Sequence, residues 1–413
     1  MISSVEQDTA SFIALEDQYG AHNYHPIPVV LAKGRGVFVW DVNDVKYYDF
    51  LSAYSAVNQG HCHPRIIKAL VNQASKLTLT SRAFYNDILG RYEEFMTNLF
   101  GYDKLLPMNT GVEAVETAVK LCRKWAYEVK GLRMGDAKII VAEGNFHGRT
   151  MTAVSISSDP DSRIGYAPYL PGFIEVPFND IDALKAAMED KNVAGVMFEP
   201  IQGEAGVRVP DDIYMKQAYE LCKSNNVLFI ADEVQTGIAR TGRMLACDLL
   251  NIRPDIIILG KAVSGGVLPV SCVMADDHIM MTIRPGQHGS TYGGNPLACA
   301  VAMEAMQVVI DEDLAGRSEH LGKIFREEMQ KLVDSTDLVN EVRGKGLLNA
   351  LLINDLESSS TAWDICIKLS ENGLLAKPTH GNIIRFAPPL VITEEELLDC
   401  CRIISETIKN FKK

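Results

Sequence analysis

Four short apolar runs mark the middle of the chain: "AKIIVAEG" (137–144), "VAGVMFEP" (193–200), "VLFIADE" (227–233) and "DIIILG" (255–260). They are continuous rather than alternating, so each predicts a strand buried on both faces. Between them lie "DIDALKAAMED" (180–190) and "DDIYMKQAYELCKSNN" (211–226). There the apolar positions recur at helical spacing. Such strands alternating with helices predict an α/β fold with a mostly parallel sheet covered by helices.

After "NPLACAVAMEAMQVVIDEDL" (295–314) the pattern mixes helices with strands such as "GLLNALLI" (346–353) and "IIRFAPPL" (383–390). This reads as a smaller α+β domain. The expected division is an N-terminal segment 1–50 packing with the small domain, a large domain over 51–310, and a C-terminal small domain over 311–413. "KGRG" (33–36) and "RGKG" (343–346) lack the last glycine of a dinucleotide fingerprint and predict turns.

Composition narrows the partners. A net charge of −13 with no basic block argues against nucleic acid and anionic lipid. No apolar run approaches the roughly 18 residues needed to span a bilayer. Nine cysteines, odd in number and without C-x-x-C, predict free thiols in a reducing compartment. The opening "MISSVEQDTASF" reads as neither a secretory signal nor a mitochondrial presequence. A cytoplasmic location is therefore expected, or a mitochondrial one if a presequence has been removed. "GHCHP" (60–64) crowds possible ligands, but adjacent side chains point apart. It predicts a turn before a helix opening at Pro64, and no metal is expected.

In open parallel sheets, ligands bind beyond the carboxyl ends of the strands. Asp232 and Glu233 follow one strand, and Glu199, Gln202 and Glu204 another. Asn145, Phe146, His147 and Arg149 follow a third, and Lys261 a fourth. Lys261 reads either as a lysine snorkelling to solvent or as a desolvated amine with a lowered pKa, able to form a Schiff base. Asp232, at a buried strand end, needs a partner for its charge. A salt bridge would serve. So would a protonated aromatic nitrogen, the arrangement by which proteins tune pyridoxal phosphate.

A phosphate would also need a site. In "MNTGVEAVETAVKLCRKW" (108–125), Thr110 and Glu113 form a T-x-x-E capping box. Gly111 admits an anion to the helix N-terminus. The loop "HGSTYGGNP" (288–296) offers Ser290 and Thr291, for phosphate or for a turn.

The motifs "FIADEVQTGIARTG" (229–242), "GKAVSGG" (260–266), "NFHGRT" (145–150) and "GSTYGGNP" (289–296) occur in the order seen in the class III aminotransferases. The chain resembles that family over nearly its whole length, most closely its ornithine-using branch. The branch resemblance rests on "YGAHNYHPIPVVL" (19–31), "FLSAYSAVNQGHCHP" (50–64), "EPIQGEAGV" (199–207) and "NGLLAKPTHGNIIRFAPPL" (372–390), among others.

The resemblance implies a fold-type I transferase dependent on pyridoxal 5'-phosphate. Lys261 would hold the cofactor and then act as acid–base, and Asp232 would pair with the ring nitrogen. Gln235 would meet the ring hydroxyl, Phe146 would stack on the ring, and Gly111 and Val112 would bind the phosphate. Ser290 and Thr291 would reach the phosphate of a neighbouring subunit, which implies a homodimer with shared active sites. Arg149 would hold the α-carboxylate of L-ornithine, Tyr24 would engage its α-amino group and Tyr54 would line the same pocket. Glu204 would neutralise Arg385 while ornithine binds, then release it for 2-oxoglutarate or L-glutamate. The products would be L-glutamate and glutamate 5-semialdehyde, by ping-pong kinetics.

His147 tempers this reading, because "FHGRT" is frequent among relatives that use N-acetylornithine. N-acetylornithine and 4-aminobutyrate are thus the alternative substrates. A cofactor-free scaffold is the alternative of another class, and the joint presence of Lys261, Asp232, Gln235 and Arg149 argues against it.

Overall fold

The structure is a computed structural model and describes residues 8–412. Residues 1–7, which carry part of the targeting argument, lie outside the described residues.

The expected strands form at Lys138–Ala142, Val193–Phe198, Leu228–Asp232 and Ile256–Leu259. They join Phe173–Val176, Ser271–Ala275 and Lys104–Met108 in one seven-stranded sheet. Its order is 104–108, 271–275, 256–259, 228–232, 193–198, 138–142, 173–176. Only Ser271–Ala275 runs antiparallel to its neighbours, so the sheet is mostly parallel, as expected.

The unbroken apolar runs have a direct cause. Ile257 and Leu259 enter a core cluster with the helix Pro296–Asp311, whereas Ile256 and Ile258 enter the cluster with the helix Gly111–Trp125. Both faces are covered, so both sets of alternate side chains must be apolar.

A second sheet of four antiparallel strands follows: Val339–Lys345, Leu348–Ile353, Ile383–Phe386 and Lys377–Thr379 in spatial order. A third sheet unites the two ends of the chain. Leu31–Arg35, Phe38–Asp41 and Lys46–Asp49 are antiparallel, and Lys46–Asp49 pairs in parallel with Leu374–Leu375. His25 stacks on Trp363 with ring centroids 4.3 Å apart.

The two glycine pairs differ from the expectation. Lys33–Arg35 and Arg343–Lys345 belong to strands, and only Gly36 (φ +59°) and Gly346 (φ +53°) turn the chain into a hairpin. A tight hairpin needs positive φ at its tip, which glycine supplies without strain. The turn before Pro64 forms as expected, with Pro64 as the first residue of the helix Pro64–Ala74. His61 and His63 are drawn apart, to Asp49 and Glu312.

Candidate active site

Lys261 leaves the strand Ile256–Leu259 through Gly260 and opens a short 3₁₀ turn, Lys261–Ser264. Its own φ is +46°. A side chain rarely adopts this conformation, and such strain is concentrated at functional sites. Asp232 ends the adjacent strand and is buried. Both line a cavity of about 180 Å³ together with Gly111, Val112, Phe146 and Gln235. Six residues expected at the cofactor are thus brought together by three strand ends and one helix start.

The helix Gly111–Trp125 begins as predicted. Thr110 accepts a hydrogen bond from the Glu113 amide, and the Glu113 carboxylate accepts from the Thr110 amide at 2.8 Å. Gly111 and Val112 are the first helical positions, where the amides have no acceptor inside the helix. They face the cavity with the positive end of the helix dipole behind them. Gly148 packs over this start. Its φ is +120°, and a Cβ there would lie 2.3 Å from Val112 Cγ2. Only glycine lets the 145–150 loop approach so closely.

Electrostatics favour a poised amine. Burial pushes the Lys261 pKa down; Glu204 opposes this shift and Arg385 adds to it. Glu204 itself is costly to bury, but Arg385 and then Lys261 hold its carboxyl below the usual value. Arg385 Nη1 donates to Glu204 Oε1 at 2.8 Å, and Gln235 Nε2 donates to the same oxygen at 3.2 Å. Thr379 Oγ1 fastens the Glu204 carbonyl at 2.7 Å. Gln235 Oε1 is left without a partner. It fits only because Gly203 carries no Cβ, which would lie 1.4 Å from it.

Tyr54 stands on a turn in which Ser52, Ala53, Tyr54 and Ser55 all have φ between +46° and +71°. Such a left-handed run costs roughly 1–2 kcal/mol per residue. It places the Tyr54 ring 4.9 Å from the Arg385 guanidinium. Arg149 lies 5.7 Å from the centre of the Phe146 ring and is exposed.

Tyr54, Arg149 and Arg385 do not line that cavity, and neither do Tyr24, Ser290 and Thr291. Tyr24 is exposed and lines a neighbouring groove with Tyr54. Ser290 accepts from Asn109 Nδ2 at 2.9 Å beside the helix start, and Thr291 is exposed.

Two further residues belong to the site. His147 Nδ1 lies 2.7 Å from Asp232 Oδ2. Burial opposes a charge on His147, but the hydrogen bond and charge of Asp232 push its pKa up. Glu199 accepts from the Phe146 amide at 2.8 Å, and burial pushes its pKa to about 7. In the sequence both follow a predicted strand, the only local signal for them, and nothing local says that they meet.

Among the described residues no group of three or more His, Cys, Asp or Glu is arranged to hold a metal ion. All nine cysteines are free. No helix of the described residues is long and apolar enough to cross a membrane.

The chain matches the family model for Aminotransferase class-III over residues 19–408. It is 59% identical over 396 residues to the mitochondrial ornithine aminotransferase of Rattus norvegicus, covering 96% of this chain and 90% of the rat protein. The solved ornithine aminotransferase of Toxoplasma gondii ME49 is 50% identical, with a TM-score of 0.96, covering 98% of this chain and 95% of that one. An acetylornithine aminotransferase structure from Elizabethkingia anophelis is 62% identical, with a TM-score of 0.91, covering 98% of this chain and all of that one.

Proposed function

Because this chain belongs to the class-III aminotransferases, we infer that it transfers the δ-amino group of L-ornithine to 2-oxoglutarate. The products are L-glutamate and glutamate 5-semialdehyde, which cyclises to pyrroline-5-carboxylate. The observation that carries this substrate reading is the Glu204–Arg385 pair at 2.8 Å, whose Glu204 lines the cavity that holds Lys261. It is a cation with a detachable counter-ion, which a site serving a cationic donor and a dianionic acceptor in turn requires.

The family's cofactor is pyridoxal phosphate, and the cavity suits it. Asp232 offers a buried carboxylate to a protonated ring nitrogen, and Gly111 and Val112 offer free amides to a phosphate. Phe146 offers a ring face. The buried, unpartnered Gln235 Oε1 and His147 Nε2 are polar atoms left for a bound group. When bound, the cofactor supplies an electron sink for the carbon that loses its proton.

This chain's residues do the rest. Burial favours the neutral amine of Lys261, so Nζ can take a proton and return it at a second carbon. Arg149 holds the α-carboxylate of ornithine in a charge-assisted pair, which leaves the δ-amine toward Lys261. Tyr24 engages the α-amino group and Tyr54 lines the same pocket. While Glu204 covers Arg385, that guanidinium presents no free charge to ornithine. When Glu204 swings away, Arg385 binds a carboxylate of 2-oxoglutarate.

Ser290 and Thr291 lie outside their own cavity, the adjoining Tyr292 is exposed, and so are Phe84 and Tyr85. These support a homodimer in which each chain completes its partner's phosphate site. The strand pairing of 46–49 with 374–375 supports grouping the N-terminal segment with the small domain. Nine free thiols suit a reducing compartment. The cytoplasm is the proposed one, and the mitochondrial matrix, suggested by the name of the rat relative, is the alternative.

N-acetylornithine is the second reading, favoured by His147 and by the Elizabethkingia relative. The visible spectrum of the purified protein separates the readings when each amine is added without 2-oxoglutarate. Rapid bleaching of the yellow cofactor band by ornithine supports the first reading, and faster bleaching by N-acetylornithine or 4-aminobutyrate replaces it. A protein that stays colourless with added pyridoxal phosphate overturns the enzymatic reading. Lys261→Ala should fold with an unchanged Tm and lose turnover by about 10³-fold.

A further inference from the structure

A larger cavity, about 570 Å³, adjoins the catalytic one, and Phe146 and Glu204 line both. Two guanidinium groups line it, Arg208 and Arg343. Arg343 Nε donates to the Gly206 carbonyl at 2.9 Å. Arg208 is held by backbone bonds with Gln202 and lies 5.6 Å from the centre of the Phe178 ring. Glycines make room for both groups. A Cβ on Gly206 would stand 3.1 Å from Arg343 Nη2, and one on Gly144 would stand 3.1 Å from Arg208 Nη1.

We propose that Arg208 and Arg343 form a vestibule that collects the dicarboxylate co-substrate, 2-oxoglutarate, before it reaches Arg385. The proposal rests on the substrate reading above. Three carboxylates also line the cavity, and two are already engaged. Glu204 is bound by Arg385, and Asp159 caps a short helix by accepting from Asp161 N and Ser162 Oγ. Glu357 is exposed on the rim. Outside the lining, Glu341 sits 3.5 Å from Arg343. Arg208 forms no ion pair among the described residues. Burial pushes the Arg343 pKa down; Glu341 opposes this and Arg208 adds to it, so an anion between the two guanidiniums would relieve their repulsion.

The chain as a whole carries −13 charges, a field that repels a dianion and attracts ornithine. A local positive patch at the mouth of the site therefore helps one substrate and not the other.

Stopped-flow spectroscopy of the holoenzyme tests this, because the two half-reactions can be timed separately. Arg208→Gln should lower the second-order rate constant for 2-oxoglutarate with the aminated enzyme by roughly 3- to 10-fold at low ionic strength, and flatten its salt dependence. Its reaction with ornithine should be unchanged or faster. Arg208→Lys should restore the oxo-acid rate, and Glu357→Gln should raise it. A 2-oxoglutarate constant within about twofold of wild type at low salt overturns the vestibule, as does an equal loss in both half-reactions. A wild-type enzyme that ornithine does not bleach, or that 2-oxoglutarate does not restore, overturns the substrate reading itself.

Discussion

His147 and Asp232, 85 residues apart, share a 2.7 Å hydrogen bond with both side chains buried. Asp232 Oδ1 accepts from the Val234 amide at 3.1 Å. The carboxylate is thus fixed from two sides. A buried carboxylate without such partners would lose its charge or its orientation.

Removing that partner should be costly even without cofactor. His147→Phe keeps an aromatic ring but leaves Asp232 Oδ2 unpaired. The expected loss of stability in the cofactor-free protein is about 1–3 kcal/mol. Chemical denaturation measures it, and an unchanged midpoint would show that the bond stabilises nothing.

Glu199 predicts a pH dependence. Its folded pKa, about 7, lies above the ordinary value of 4.5, so the folded state binds the extra proton. Its contribution to stability is fully present below 4.5 and is lost as pH rises through about 7. The raised pKa of His147 acts in the same direction. Glu199→Gln keeps an acceptor for the Phe146 amide and cannot ionise. Its Tm relative to wild type should therefore rise between pH 5 and 8, by an amount equivalent to about 1–3 kcal/mol.

The switch pair should separate the two half-reactions. Glu204→Gln removes the counter-ion of Arg385 and leaves a free cation in the site. Bleaching by ornithine should slow by about tenfold or more, while reaction with glutamate is maintained or improved. Equal effects on both would contradict an alternating role.

Gly148→Ala tests the helix start. The new Cβ would be driven into Val112, which must move, and the amides of Gly111 and Val112 would move with it. Overpacking of this kind costs about 1–3 kcal/mol. The Tm without cofactor should fall, and pyridoxal phosphate affinity, read by fluorescence titration, should fall as well.

Arg240 is fully buried and, among the described residues, has no carboxylate bonded to it. It donates to Asn58 Oδ1, to the Leu347 carbonyl at 3.0 Å and to the Pro388 carbonyl at 2.6 Å. Pro388 follows the strand bearing Arg385, so this one side chain ties the loop after Gln235 to that strand. Arg240→Leu strands several buried acceptors and should destabilise by about 3–5 kcal/mol in urea.

Much of the site was legible because its residues sit at ends of elements with strong local signals. Asp232 and Lys261 close apolar runs that could only be buried strands, and Thr110–Glu113 is a complete capping box in four residues. His147 was legible only by its place after a predicted strand and in the "FHGRT" motif, and its partner is on another strand end. The glycine pairs were misjudged as whole turns because a hairpin's strands and its tip share the same residues.

The amino-acid pattern alone determined the parallel sheet, the helix N-terminus at Gly111 and the strand ends that carry Asp232 and Lys261. Each follows from burial or hydrogen bonding within a few residues. Tertiary structure alone decided three other things. It joined Glu204 to Arg385 across 181 residues, paired the strand at 46–49 with 374–375, and forced Ser52–Ser55 into a left-handed turn. Local propensity opposes that turn, and no periodicity encodes the two pairings. They exist because packing the elements around one cavity outweighs what the segments would do by themselves.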